Sequence, residues 1–430
     1  MRQESLKTEL EQKLDSYRKP MEKMFYVFFA IGFFYEYLTS SMLFIPFQNL
    51  ILSVLSNFPL QVVEILFYGI LNLRYLIIFP AIYTVFCEVR GRRNRIILTS
   101  LLFIGWFYAL YWRSSLEWPV SYAFLVIVAC ANRDIKKIIN ISLIIGASVI
   151  GISFILSQVG VIDDLVWQRP GEGMRNRHAF GMNYCTNLAS HAMFLIFLYM
   201  FIKRGKLKIP EYLAIIFLTA LNIIFVDGQI SAVCVILSLI GCIFVAIFNY
   251  KKITVPKRIL IVWNILTVSS YIVCATIQFI WAILYKDDPN IWYNKYYSLE
   301  NRIRTNYLLL KNFPFSWFGT DFLQVGLGWN GETPDYYFWV DCSYTRIYAM
   351  YGIVAFVIIM ALLTWIVIRL MKRKNYFGVF LMAIIAFDLM IEHHIIEVAY
   401  NTFLVLAFAN LDTLYNSKED ADSSSSDHPG

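Results

Sequence analysis

The feature that most limits what this chain can fold into is its succession of long apolar runs. They recur at roughly 24–44, 63–87, 96–113, 117–132, 138–157, 184–202, 210–227, 229–249, 258–285, 346–369, 376–392 and 395–412. Most approach the ~20 residues a helix needs to cross about 30 Å of hydrocarbon. In lipid only helices and closed barrels satisfy their backbone hydrogen bonds, and continuous apolar runs select the helix. Charged residues are 16% of the chain, against about 25% in soluble domains. The sequence therefore predicts an all-α polytopic membrane protein with about 12 transmembrane helices. Its length alone would suggest two or three soluble domains.

Charge sets the expected orientation. The net charge of +7 is dispersed in short basic clusters between apolar runs, which is a topology signal and not a nucleic-acid surface. Arg90–Arg95, Arg133–Lys137, Lys203–Lys208, Lys251–Arg258 and Arg369–Lys374 fall in alternate connectors, whereas 45–62 and 227–229 contain no lysine or arginine. Both termini are expected on the cytoplasmic side. The divisions are a tail at 1–23, a membrane bundle at 24–285 with an outer loop at 160–183, an extracellular cap at 286–345 between spans 9 and 10, a second bundle section at 346–412 and a disordered tail at 413–430. The cap is rich in Trp292, Tyr293, Tyr296, Tyr297, Trp317, Trp329, Tyr336, Tyr337 and Trp339. A loop of that length is functional or disordered, and its aromatic content speaks against disorder.

Two outward segments carry arginine on the face where topology disfavours it. The first is Arg175-Asn-Arg-His-Ala-Phe-Gly-Met-Asn183, which follows the helix breakers Pro170, Gly171 and Gly173. Arg175, Arg177 and His178 just ahead of a helix suit an anion. Pairing of the arginines with lipid head groups, Asp163 or Asp164 is the plain alternative. The second is Ser298–Asn312, a helical pattern in which Glu300 and Arg304 stand at i,i+4 and can satisfy each other. Arg302 lacks such a partner in its own helix and is the stronger candidate.

Further groups surround these. Trp339-Val-Asp-Cys-Ser-Tyr344 enters the tenth span, with Asp341 as an arginine partner or a base. Glu392-His-His-Ile-Ile-Glu397 lies in the last outer turn; Glu392, His393, His394 and Glu397 are of metal-ligand type, but no recognised ligand spacing supports a closed site. No metal and no cofactor is expected. Within the bilayer Glu36 and Arg74 lie at depths of ~18 and ~16 Å that allow them to pair. Intramembrane charges of this kind mark substrate paths or form structural ion pairs. His191 is expected to be an interior histidine. The seven cysteines show no metal or disulfide framework; only Cys185 and Cys342 flank outer loops, where a bridge is open to them.

The order of these elements resembles the Wzy-type polysaccharide polymerases, relatives of the O-antigen ligases. It comprises many spans, an outer R-x-R-x-x-x-G-x-x-x-x-N segment, a large outer loop with an arginine helix and a Phe318-Gly-Thr turn, then Asp-x-Ser-Tyr leading to Tyr351-Gly-Ile. The resemblance runs from about Arg74 to Leu411. It departs at Asp341-Cys342, where the family has Asp-Asn or His-Asn, and at Asp227-Gly-Gln, where relatives often carry an arginine. It implies a GT-C-like bundle in the bacterial cytoplasmic membrane that polymerises undecaprenyl-diphosphate-linked oligosaccharide repeat units at the outer face, independently of metal. The resemblance maps its catalytic arginines to Arg302, Arg175 and Arg177. Asp341, His178, Glu392 and His393 are candidate bases, and Arg74, Arg304, Asn183, Tyr344 and Trp339 are candidate substrate contacts. The partners implied are lipid-linked glycans, membrane lipid, and a flippase and chain-length regulator of the same pathway, with no nucleic acid. Alternatives are a ligase that moves finished glycan to another acceptor, or a flippase-type transporter.

Overall fold

The computed structural model describes residues 2–56, 58–89, 91–111, 119–168, 175–253, 255–286, 297–313, 315–326 and 338–415. The chain is mostly helical. The elements are α1 (Arg2–Thr39), α2 (Phe44–Leu55), α3 (Leu60–Leu71), α4 (Ile78–Tyr83), α5 (Arg92–Tyr111), α6 (Pro119–Ala129), α7 (Ile135–Gln158), β1 (Val166–Gln168), β2 (Asn176–His178), α8 (Cys185–Ile202), α9 (Ile209–Leu221), α10 (Gln229–Tyr250), α11 (Lys257–Leu284), α12 (Tyr297–Asn312), α13 (Ser343–Lys372) and α14 (Tyr376–Asp388). Among the described residues 6 helical segments are long and apolar enough to cross a membrane: Ile135–Gln158, Cys185–Ile202, Ile209–Val226, Gln229–Tyr250, Lys257–Leu284 and Ser343–Lys372. The protein is embedded in a membrane through apolar helices.

The chain divides into two compact units, one formed by 1–39, 43–149 and 396–430, the other by 40–42 and 150–395. In the first unit α1 carries Phe25, Phe29, Phe33 and Tyr37 at four-residue spacing, fully buried and in ring-to-ring succession. That spacing places them on one helix face. Arg133 pairs with Glu88 at 2.7 Å and its guanidinium lies over the Phe25 ring, so this arginine of a basic connector is built into the core. Glu36 and Arg74 are both buried in this unit and lie within electrostatic reach of each other. The Arg74 guanidinium also stands over Tyr35.

The span pattern departs from the sequence expectation in several places, and the spans expected at 117–132 and 376–392 are helices of only 11 and 13 residues. The tail at 1–23 is helical from Arg2 and continuous with the first span. The connector 45–62 holds α2 and the start of α3, two helices of 12 residues, a length suited to re-entrant or interfacial segments. The span expected at 63–87 is broken into α3, a 3-10 turn at Leu73–Ile77, α4 and a π turn at Thr84–Glu88. The span expected at 395–412 is no continuous helix; it runs through turns and short 3-10 segments at Thr402–Ala407 and Leu411–Leu414. Its side chains from Val398 to Ala407 are buried in protein, the condition under which irregular backbone is tolerated at membrane depth.

In the second unit α11 packs on α12, α13 and α14, and α10 on α14 and α8. Here α13 is broken at Gly352, whose φ of +79° is left-handed. The loop 316–320 fills the break: Ile353 N donates to Ser316 O at 3.1 Å, Val354 N to Trp317 O at 3.2 Å, and Thr320 N to Ala349 O at 2.9 Å. Gly319, also at positive φ (+97°), lies against the Met350 carbonyl, and a Cβ on either glycine would strike the opposing backbone. The Phe-Gly-Thr turn and the Tyr-Gly-Ile element are thus two halves of one joint.

Candidate functional site

The described parts of both arginine segments belong to the second unit. The first folds as a β-hairpin, with β1 antiparallel to β2 and Trp167 opposite Arg177. Alternation along β2 turns Arg177 inward and His178 to the other face. Arg177 is 7% exposed; its Nε donates to the Val226 carbonyl at 3.3 Å and stands 3.8 Å from Asp227 Oδ2. Asp227 sits at the end of a π turn with φ +54°, and its other oxygen accepts from Gln229 Nε2 at 3.1 Å. The hairpin's inner face rests on an apolar cluster of Trp167, Met182, Cys185, Leu188, Ala189 and Val226.

His178 faces away from this centre. Its Nδ1 is 2.7 Å from Asp164 Oδ2, and Asp164 Oδ1 accepts from Phe180 N at 2.6 Å. Arg175 is exposed and makes no ion pair among the described residues. Asn183 accepts from Asn187 Nδ2 through its side chain, and its own N–H donates to Ser40 O.

The second arginine segment forms α12. Arg302 Nε is 3.1 Å from Asp341 Oδ2, and its NH2 is 3.3 Å from Glu392 Oε1. One guanidinium therefore holds two carboxylates brought from the entry to α13 and from the turn after α14. The turn is fixed by Ser343, whose hydroxyl donates to the Glu392 carbonyl at 2.6 Å and accepts from Ile395 N at 3.3 Å. Beneath it a buried amide chain runs from Thr345 to Asn306, from Asn306 to Gln278, and from Gln278 to the Met390 carbonyl. This chain ties α12 to α11, to α13 and to the turn after α14, and so fixes where Arg302 stands.

His393 joins the cluster. Its Nδ1 is 4.0 Å from Asp341 Oδ1, and its ring meets Trp339 edge-on and His394 at 4.1 Å. Trp339 in turn lies under the Arg346 guanidinium, 4.9 Å from its centroid. Burial and the neighbouring His394, Arg346 and Arg302 hold the His393 imidazole well below the usual histidine range. It is therefore the neutral form at ordinary pH. Burial pushes the Glu392 carboxyl up, opposed by Arg302.

The two arginine segments converge. Glu392 lies within electrostatic reach of both Arg302 and Arg177, and so does Tyr184, which also feels Asp341. Arg177, Arg302, Asp341, Glu392, His393 and Trp339 thus form one neighbourhood. His178 is turned away from it. Arg304 is half-buried on α12. The Tyr344 hydroxyl, proposed as a substrate contact, is fully buried and donates to the Ala386 carbonyl at 2.8 Å, a structural role. Arg74 and Glu397 belong to the first unit. Cys185 and Cys342 are buried and form no disulfide. His191 is buried in α8. Of the cap aromatics, Trp292, Tyr293, Tyr296, Trp329, Tyr336 and Tyr337 lie outside the described residues.

Sequence reasoning gave no role to Asp227, Ser343, Asn306 or Gln278. Asp227 and Ser343 carried a signal: an acidic residue stands where an arginine was looked for, and Ser343 is the serine of Asp-x-Ser-Tyr. Asn306 and Gln278 are ordinary polar residues on helices, with nothing local to mark them. The chain matches no protein-family model, and no curated protein or solved structure matches it either.

Proposed function

We propose that this protein is a membrane glycosyltransferase that polymerises lipid-diphosphate-linked oligosaccharide repeat units at the outer face of a bacterial cytoplasmic membrane, with both termini in the cytoplasm. The observation that carries the reading is that Arg302 holds Asp341 and Glu392 while Arg177, more than a hundred positions earlier, lies within electrostatic reach of the same Glu392. A diphosphate leaving group develops negative charge as its bond to the sugar breaks. Fixed guanidinium donors stabilise that charge best where water is scarce. Asp227 orients Arg177, and the carboxylates of Asp341 and Glu392 orient Arg302, so neither cation reorganises during reaction.

The acceptor sugar's hydroxyl attacks the donor's anomeric carbon as the bond to the diphosphate oxygen breaks. The hydroxyl proton passes to the Asp341–Glu392–His393 cluster, which stands around Arg302 within the span of one hydrogen-bonded sugar. Trp339 offers its ring to a sugar face. His178, on the far side of its strand, is given no part in the transfer. The lipid tail is held among apolar helices, and a flippase and a chain-length regulator are the partners this reaction would need.

The test is Arg302→Lys in cells lacking the native copy, read as glycan length on gels. Removing one preorganised donor costs on the order of 10²–10³ in rate, so products are expected to stop at single repeat units. Long lipid-linked chains that never reach a final acceptor would indicate a ligase instead. Normal polymer would remove the role of Arg302.

A further inference from the structure

The turn after α14 gathers a donor set that the proposed transfer does not use as a whole. One ligand atom each from Glu392, His393 and His394 lies within 4.8 Å of the others. Adjacent histidines on a helix would point about 100° apart. Here the chain has left the helix at Asp388, and the irregular turn brings the two imidazoles to 4.1 Å with their planes 43° apart. Asp341 adds a fourth donor: its Oδ2 is taken by Arg302, whereas its Oδ1 is turned toward His393 Nδ1 at 4.0 Å. Glu392 has Oε1 on Arg302, and Asp341 divides its two oxygens between the guanidinium and His393.

We propose that Glu392, His393 and His394, with Asp341 as a fourth donor, form a binding site for one divalent cation of the kind that prefers imidazole ligands, such as Zn2+ or Co2+. Two nitrogen donors select a borderline metal over Mg2+ or Ca2+, which take oxygen ligands. Four ligands around such an ion stand about 3.4 Å apart at bond lengths near 2.1 Å, so small side-chain rotations close the set. Ser343 anchors the Glu392 carbonyl, and Arg302 holds both carboxylates. These are the supporting contacts that fix metal ligands. An entry path exists, since the side chains of Asp341 and Arg302 keep 20% and 19% exposure and His393 12%, with Glu392 (3%) behind them. No ligand spacing was legible because the fourth donor lies about fifty positions upstream and the histidines are contiguous.

The site lies in the side-chain cluster assigned to transfer but does not depend on that reading. The metal-stripped, full-length protein in detergent is titrated with Co2+ alone, without any sugar donor. The expected result is saturation near one equivalent with the visible ligand-field bands of a low-coordinate cobalt site, lost on adding Zn2+. Glu392→Gln and His394→Ala should each weaken binding at least tenfold, in protein that elutes as wild type on gel filtration. Should His394→Ala fail to fold, the partly exposed His393→Ala serves in its place. Wild-type protein showing no such bands, or variants titrating like wild type, overturns the site and leaves the glycosyl-transfer proposal standing on its own assay.

Discussion

At the scale of single residues, the ion pairs around the site have unequal consequences. Arg177 and Asp227 are both nearly excluded from solvent, at 8% and 7% side-chain exposure. Removing one partner of a buried pair strands the other charge and costs about 3–5 kcal/mol, whereas removing both costs much less. Arg177→Ala is therefore expected to lower stability by about 3 kcal/mol, and Arg177→Ala with Asp227→Ala to recover a large part of it. Unfolding of the purified variants in detergent measures this as a double-mutant cycle. A double variant as unstable as the single one would mean that the pair contributes no charge compensation. Arg302 differs, because its side chain keeps 19% exposure and solvent softens the loss. Its substitution should act on polymer length more than on folding.

At the scale of elements, the joint between the loop 316–320 and the break in α13 makes a sharper prediction. Gly352 and Gly319 both hold positive φ; Gly352 faces the backbone of Trp317 and Gly319, and Gly319 that of Met350 and Tyr351. A β-carbon there meets both a disfavoured conformation, about 1–3 kcal/mol, and a backbone clash that no rotamer relieves. Gly352→Ala should lower the melting temperature and also impair chain lengthening, since the first half of α13 carries Ser343, Thr345 and Arg346. Gly69 has open space where its β-carbon would go, so Gly69→Ala is the control expected to melt like wild type. Equal melting of the two variants would show that the joint bears no strain. Part of this was legible in the sequence: apolar runs marked most long helices and Phe318-Gly-Thr stood out as a turn, whereas Gly352 lay inside a run read as one continuous span. Their pairing was not legible, because a turn signal records local φ and says nothing of what fills the gap. The strand-borne separation of Arg177 from His178 was hidden for a related reason. A three-residue hairpin is too short to declare its alternation.

At the scale of the whole chain, the first unit is drawn from both ends of the sequence, a fact no local pattern announces. Apolar composition at 395–412 reads as one more helix, yet the chain there follows turns and 3-10 segments. Short polar residues explain it. Asn401, Thr402 and Asn410 offer backbone-like hydrogen bonds of their own, with Asn410 Oδ1 accepting from Asp412 N and Thr402 Oγ1 donating to Val398 O. Backbone groups released from a helix must then find partners elsewhere. One is supplied from the opposite end of the chain: Glu36 Oε2 accepts from Ala399 N at 2.7 Å, across 363 positions. Glu36 thus secures the C-terminal segment to α1. Glu36→Ala leaves a buried N–H unsatisfied and should cost about 1–3 kcal/mol, whereas Glu36→Gln keeps an acceptor in place and should cost less. Thermal unfolding in detergent orders the variants, and limited proteolysis locates the loss: cleavage within 396–415 should accelerate in Glu36→Ala first. If that segment stays as protected as in wild type, the bond is incidental and packing alone holds the two ends together.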